Sequence, residues 1–295
     1  MKSHPKYNLT RTIGNTPLIQ FDDNPSVKLK LEYHNPTFSM KDRVALHMIN
    51  DIHDINEDIH IVEASSGNTG ASVAFVCSYY GYDCTICVPE STSKLKTELI
   101  KKYGGNVVSC PNEGMDYQEY ADHLGRKDGY LYLDQYHNKL NPEAHYLSTG
   151  PEIWEQTNHK IDCFVCPVGS GGTISGTGKY LKEMNPNIQI IGVDSKESNI
   201  HRFYEGCEPL ENPNSGVEGL GKQEKLPTMW FNYIDQIVTV SDNQCFRQMK
   251  RWATDFGLFM GPSAAGTLFM SLQIQRNHNC ECIVSLICDS GWKYI

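Results

Sequence analysis

The sequence predicts a two-domain α/β protein with parallel sheets flanked by helices, and three observations predict it. At 295 residues the chain is long enough for about two domains of ordinary size. Short apolar runs recur, each followed by a glycine-rich turn and a helix-like segment, the alternation of a parallel sheet with its covering helices. The alternation falls in two blocks, 59–110 and 161–195, with a mostly polar stretch around 111–160 between them. The expected domains are 1–145 and 146–295, with part of 10–34 packing with the second.

Along the chain, the first segment with chemical content is Asn35-Pro36-Thr37-Phe38-Ser39-Met40-Lys41-Asp42-Arg43, a Pro-containing turn leading into the helix-like VALHMIND. A lysine in the first turn of a helix opposes the dipole and is disfavoured unless something else holds it. Taken alone, Lys41 reads as a solvated surface residue. The strand-like IHIVEA then runs into Ser65-Ser66-Gly67-Asn68-Thr69-Gly70 and the helix ASVAFVCSYYG. Two hydroxyls, an amide and free N–H groups at a helix N-terminus suit a carboxylate or phosphate, whereas N-capping accounts for only one of the hydroxyls. YDCTICVP reads as the next strand and the Lys/Leu-rich 93–103 as its helix.

In the second block the strand IDCFVCPV leads to Val168-Gly169-Ser170-Gly171-Gly172-Thr173, which opens a helix before the strand IQIIGVD. Small residues there let backbone N–H groups converge on an anion. Ile174 stands where a dinucleotide fingerprint needs its third glycine, and Thr177 precedes Gly178-Lys179 where a P-loop needs glycine. NAD and ATP lose ground, while a phosphate site and a ligand-free tight turn both stay open. Two anion sites on two α/β blocks fit a ligand with two acidic ends.

Composition narrows the partners. A net charge of −9 without a run of lysines and arginines opposes binding to nucleic acid or an anionic membrane, so a small molecule is expected. The opening MKSHPKYNLT lacks the apolar core of a signal peptide, and no stretch reaches the roughly 18 apolar residues of a membrane span, which predicts a cytoplasmic protein. Eleven cysteines, an odd count, predict reduced thiols. Cys84/Cys87 and Cys163/Cys166 form CxxC pairs inside apolar runs without a glycine-rich knuckle, which favours buried structural cysteines over zinc or redox chemistry. No metal is expected.

The ordered set NPTFSMKDR, SSGNTG, LDQYHN…NPEAHYLSTGPEIW, VGSGGTISGTG, VEGLG, GPSAAG and a final DSGWKYI resembles the cysteine synthase and cystathionine β-synthase family of pyridoxal-phosphate enzymes. The resemblance runs from IGNTPLI at 13–19 to the last residues. It implies the two-domain fold type II, with pyridoxal 5′-phosphate in the interdomain cleft, and a homodimer. Lys41 matches the lysine that forms a Schiff base with the cofactor, as a neutral amine. Gly169, Ser170, Gly171, Gly172 and Thr173 match the phosphate cup, and Asn68 the partner of the ring hydroxyl. Ser65, Ser66, Thr69 and Gln135 match residues that grip the substrate carboxylate. Gly219, in VEGLG, lies in the mobile substrate loop, and Ser263 matches the hydroxyl facing the pyridine nitrogen.

A neutral hydroxyl at Ser263 does not hold the ring nitrogen protonated as an aspartate would, which favours loss of a β-leaving group over transamination. The implied activity is β-replacement, with cysteine made from an activated serine such as O-acetylserine and sulfide or another thiol, through an aminoacrylate. A cystathionine β-synthase-like or other β-replacing synthase, a serine/threonine dehydratase and a non-catalytic binder are the alternatives. The complete set of Lys41, Asn68, glycine cup and Ser263 argues against the binder. Lys222-Gln-Glu-Lys225, GPSAAG and SGWKYI depart from the family pattern. Lys222 or Lys225 either meets an anionic leaving group or second substrate, or is a solvated surface lysine.

Overall fold

The computed structural model describes residues 8–53, 58–65, 67–110, 115–278 and 280–295. In chain order it runs β1 (Leu18–Gln20), β2 (Val27–Leu31), α1 (Lys41–His53), β3 (His60–Ala64), α2 (Asn68–Tyr80), β4 (Cys84–Val88), α3 (Lys94–Lys102) and β5 (Asn106–Ser109). There follow α4 (Tyr117–Gly125), β6 (Tyr130–Tyr132), α5 (Leu140–Leu147), α6 (Thr149–Gln156), β7 (Cys163–Pro167), α7 (Gly172–Met184) and β8 (Gln189–Ser195). The chain ends with α8 (Ile200–Glu205), β9 (Gln236–Val240), α9 (Asp242–Phe256), α10 (Pro262–His278), β10 (Ile283–Ile287) and a 3-10 turn, Gly291–Tyr294. Two compact units result: residues up to Ile13 with Asn35–Leu140, and Gly14–His34 with Asn141–Ile295.

The first unit holds a four-stranded sheet in the order β5-β4-β3-β6, parallel throughout. All of β4, and all of β3 after His60, is buried, which explains their near-continuous apolar reading: both faces of a parallel sheet are covered. α2 is buried from Thr69 to Cys77 and stops at Gly81, whose φ of 85° lets its N–H turn back to the Cys77 carbonyl at 2.8 Å. The mostly polar stretch around 111–160, to which no strand or helix was assigned above, carries α4, β6, α5 and α6. Its sequence did hold one readable signal. Asp116 Oδ1 accepts the Gln118 and Glu119 N–H groups at 2.7 and 2.9 Å while Glu119 Oε2 accepts the Asp116 N–H at 3.1 Å, a capping box spelled D-x-x-E.

Cys84 and Cys87 lie on β4, and Cys163 and Cys166 on β7, all four buried. Residues three apart in a strand project to opposite faces, so neither pair forms a chelate. Burial pushes the Cys87 thiol up to about 12, which keeps it protonated. Among the described residues no cluster of three metal-binding side chains occurs, and no helix is long and apolar enough to cross a membrane.

The second unit holds a six-stranded sheet in the order β1-β2-β10-β7-β8-β9. It is parallel except for β1, which pairs antiparallel with β2. Lys30 in β2 is fully buried, and its three ammonium protons find three acceptors: the Thr16 carbonyl at 2.8 Å, Glu152 Oε2 at 2.7 Å and Gln156 Oε1 at 2.9 Å. The Asn15 N–H also donates to Glu152 Oε1 at 2.9 Å, so α6 fastens the 14–34 segment to this unit. Replacing Glu152 by Ala removes a carboxylate partner from a buried ammonium and should cost about 3–5 kcal/mol of unfolding free energy. Urea unfolding will show a lowered midpoint, of which adding Lys30→Met recovers part.

Candidate functional site

In the first unit the 35–42 turn is held by a buried carboxylate. Asp42 is fully buried in the first turn of α1, where a negative charge suits the dipole. Its Oδ2 accepts the Thr37 N–H at 2.7 Å and its Oδ1 the Thr37 hydroxyl at 2.5 Å. Between them the chain takes a costly conformation at Phe38, φ 61°, closed by a Phe38 N–H to Asn35 carbonyl bond of 2.8 Å. This turn delivers half-buried Lys41 as the first residue of α1, its N–H 3.3 Å from Ser39 Oγ. Thr37 Oγ1 also lies 3.0 Å from Ser72 Oγ on α2, and Ser72 Oγ lies 3.1 Å from the Asn68 carbonyl oxygen. The lysine turn and the start of α2 are therefore one hydrogen-bonded piece.

The turn before α2 is organised by Ser65, whose Oγ accepts the Gly67 N–H at 3.2 Å and the Gly70 N–H at 3.0 Å. Those two bonds use its oxygen as acceptor and leave its own proton to donate. Ser66 lies outside the described residues. Thr69 donates its hydroxyl to Gln135 Oε1 at 2.7 Å, and Gln135 Nε2 donates to Glu63 Oε1 and to the Ala64 carbonyl, each at 3.1 Å. All three of Thr69, Gln135 and Glu63 are buried. Gln135 thus commits both amide protons inside the unit and receives the Thr69 hydroxyl on its oxygen.

In the second unit Gly169–Thr173 form the turn between β7 and α7. Gly171, with φ 84°, is the N-cap of α7, and no acidic side chain stands in the first turn. First-turn amides have no carbonyl one turn earlier to bond, which makes this an anion-binding helix start. Side chains from α5 brace it. Asn141 Nδ2 donates to Ser170 Oγ at 3.1 Å, and His145, fully buried, places Nε2 3.1 Å from Thr173 Oγ1 and Nδ1 2.9 Å from Thr149 Oγ1. The glycines also serve packing: a Cβ on Gly172 would sit 2.1 Å from Asn141 Oδ1, and one on Gly169 2.6 Å from the Gly219 carbonyl oxygen.

Gly219 therefore lies against the turn. Its loop is pinned by Asp242, which accepts the Ser215 hydroxyl at 3.0 Å and the Gly216 N–H at 2.5 Å, and by a Gly221 N–H to Val168 carbonyl bond of 2.8 Å. Of the two lysines that follow, Lys222 donates its N–H to Ser198 Oγ at 3.0 Å and accepts the Asn199 N–H on its carbonyl at 2.9 Å, and exposed Lys225 sits 4.9 Å over the Phe231 ring. Ser263, second residue of α10, is buried with Oγ 3.2 Å from Cys288 Sγ. The DSG segment holds that helix start: the Gly261 N–H donates to the Asp289 carbonyl at 3.0 Å, and Tyr294 donates to Asp289 Oδ2 at 2.7 Å.

Asp42, Glu63, Asn141, His145 and Asp289 escaped the sequence reading as supports of the site. All five lie in four segments singled out there, NPTFSMKDR, IHIVEA, NPEAHY and DSG, but only a fold reveals which side chain each one holds.

The sequence model of the family described as "Pyridoxal-phosphate dependent enzyme" matches residues 9–289. The cysteine synthase B of Pseudomonas aeruginosa is 35% identical over 296 residues, covering 96% of this chain and 94% of that protein. A crystal structure of a hydrogen sulfide-producing enzyme from Fusobacterium nucleatum superposes with a TM-score of 0.90 at 31% identity, covering 100% of this chain and 99% of the other. For O-acetyl serine sulfhydrylase isoform 3 from Entamoeba histolytica the TM-score is 0.89 at 26% identity, covering 100% and 91%.

Two glycines of the second unit separate backbone strain from crowding. Gly219 has φ 76° and open space where a Cβ would stand, whereas at Gly171 a Cβ would fall 2.3 Å from Met229 Cγ. Gly219→Ala should cost about 1–2 kcal/mol of left-handed strain. Gly171→Ala should add about 1–3 kcal/mol for overpacking. Thermal melting of the two variants will give the larger fall in Tm for Gly171→Ala.

Proposed function

Because the chain belongs to the pyridoxal-phosphate dependent enzyme family, we propose that it is a β-replacement enzyme of the cysteine synthase type, making cysteine from an activated serine, O-acetylserine first, and sulfide. The observation that carries this reading is the hydrogen-bonded join of Lys41's turn to the start of α2 through Thr37 and Ser72, which unites a nucleophilic amine and a carboxylate-binding turn in one unit. The relatives named for cysteine synthesis and for acetylserine chemistry support the substrates.

The donor set fits the cofactor. The amides of Gly171, Gly172 and Thr173, at a helix start free of acidic side chains, would hold its phosphate, with Ser170 and Thr173 braced by Asn141 and His145. Lys41 would hold it covalently through Nζ, Asn68 would meet the ring hydroxyl, and Ser263 would face the ring nitrogen with a neutral hydroxyl. When bound, the cofactor withdraws electrons from Cα of the amino acid. The protein does the rest. The Ser65 hydroxyl proton and the Thr69 N–H at the start of α2 bind the substrate carboxylate, the Gly70 N–H being taken by Ser65 Oγ, with the Thr69 side chain and Gln135 shaping that turn; Ser66 is assigned to the same task. Lys41 Nζ takes the Cα proton as the β-leaving group departs and returns it to Cα after sulfide has joined Cβ. Gly219, beside Gly169, belongs to the loop that covers the amino acid.

The likeness to a hydrogen sulfide-producing enzyme favours one second reading, elimination of sulfide from cysteine by the same groups. A homodimer in the cytoplasm is part of the proposal: the eleven free cysteines support a reducing compartment, and the homodimer follows from the family resemblance alone.

Two outcomes test the proposal. Mixing the purified protein with O-acetylserine and sulfide should release cysteine, identified by product mass, and Lys41→Ala should abolish it; efficient deamination of serine or threonine without cysteine formation would replace this reading with a dehydratase. Borohydride should fix the cofactor to the peptide containing Lys41, and attachment to any other lysine would overturn the assignment.

A further inference from the structure

Glu63 is a fully buried carboxyl group in the interior of a parallel sheet, on β3 opposite Ile86 of β4. Such a residue weakens a core unless it does something an apolar side chain would not. Its Oε2 has no hydrogen-bond partner among the described residues, so self-sufficient packing does not explain it. Burial, reinforced by nearby Asp134, holds its pKa well above the usual carboxylate range, and the uncharged acid is the form the sheet tolerates.

What Glu63 does is visible on its other oxygen. Oε1 accepts one Gln135 amide proton at 3.1 Å, and the Ala64 carbonyl accepts from the same Nε2 at 3.1 Å. With Nε2 so directed, Gln135 Oε1 must point the other way, where it receives the Thr69 hydroxyl at 2.7 Å. A flipped amide would forfeit the bond to the Ala64 carbonyl, which can only accept, and set an oxygen against it. We infer that Glu63 is a positioning residue for the substrate carboxylate: it fixes the face that Gln135 presents to Thr69, and thereby the side chain at the start of α2. This rests on the proposed role of that turn in binding an amino acid.

The holoenzyme tests it with O-acetylserine for kinetics and L-alanine, which has the carboxylate but no leaving group, as a binding probe read by the change in cofactor absorbance. Glu63→Met removes the acceptor with little change of volume and should raise KM and the alanine Kd about fivefold to tenfold, the worth of one neutral hydrogen bond, while kcat falls by less. Glu63→Gln keeps an acceptor at the same reach and should restore KM to within about twofold. Gln135→Leu should reproduce the KM rise, and Glu63→Met added to it should raise KM no further. Where Glu63→Met does not fold, Glu63→Asp, shorter by one methylene, should give the same split between KM and kcat.

Equal KM values for Glu63→Met and wild type, a Glu63→Gln defect as large as that of Glu63→Met, or additive effects with Gln135→Leu would each overturn the inference. A wild-type protein that neither makes cysteine nor responds to alanine would instead overturn the proposed function.

Discussion

The first unit depends on the carboxylate of Asp42. A turn that places Phe38 at positive φ and starts a helix with a lysine is unfavourable twice, once in backbone strain and once against the dipole. Asp42 answers both, because its charge sits in the first helical turn and its two oxygens hold the amide and hydroxyl of Thr37. From Thr37 the bonding continues to Ser72, so the same carboxylate that shapes the lysine turn also sets where α2 begins relative to α1. A buried charge of this kind is not a source of net stability, but it leaves few alternative conformations to the turn around it.

The second unit meets a different constraint with glycine. Its anion-binding helix start is built by approach of backbones: α5 comes so close that Gly172 and Gly176 admit no side chain, with Asn141 Oδ1 and the Pro142 carbonyl already where a Cβ would stand. Closeness brings Asn141 and His145 into reach of Ser170 and Thr173. The glycine run thus reads in two ways at once, as permission for packing on one side and as exposed amides on the other. This also explains why spacing alone failed to decide between a phosphate site and a bare turn.

Local periodicity revealed β3, β4, β7 and β8 together with their glycine turns, because parallel strands buried on both faces are mostly apolar and the turns between strand and helix need small residues. It did not reveal β1 or β6, of three residues each and so too short to show a period, and β6 pairs with β3, a strand far back in the sequence. The ordered motifs pointed to Lys41, Asn68, the Gly169–Thr173 turn and Ser263. What they left out were the side chains that hold these residues: Glu63 looked like one polar letter in a strand, and nothing local says that Gln135, 72 positions on, will lie beneath it. Ser65 shows the same limit in reverse, since its oxygen is taken by the amides of its own turn.

The order of strands in the larger sheet bears on how the protein is made. β2 has only the hairpin strand β1 on one side, and on the other it pairs with β10, about 250 residues later in the chain. At roughly 5–20 residues per second a ribosome would need about 12–50 s to deliver that partner. For all that time the nascent 14–34 segment has a strand with an open edge and, until α6 emerges, a lysine without its carboxylate. Residues 35–140, by contrast, form the first unit's whole sheet within one stretch of synthesis. The earlier-numbered segment is then the later one to fold, and the nascent chain carries an unpaired edge through most of its own translation.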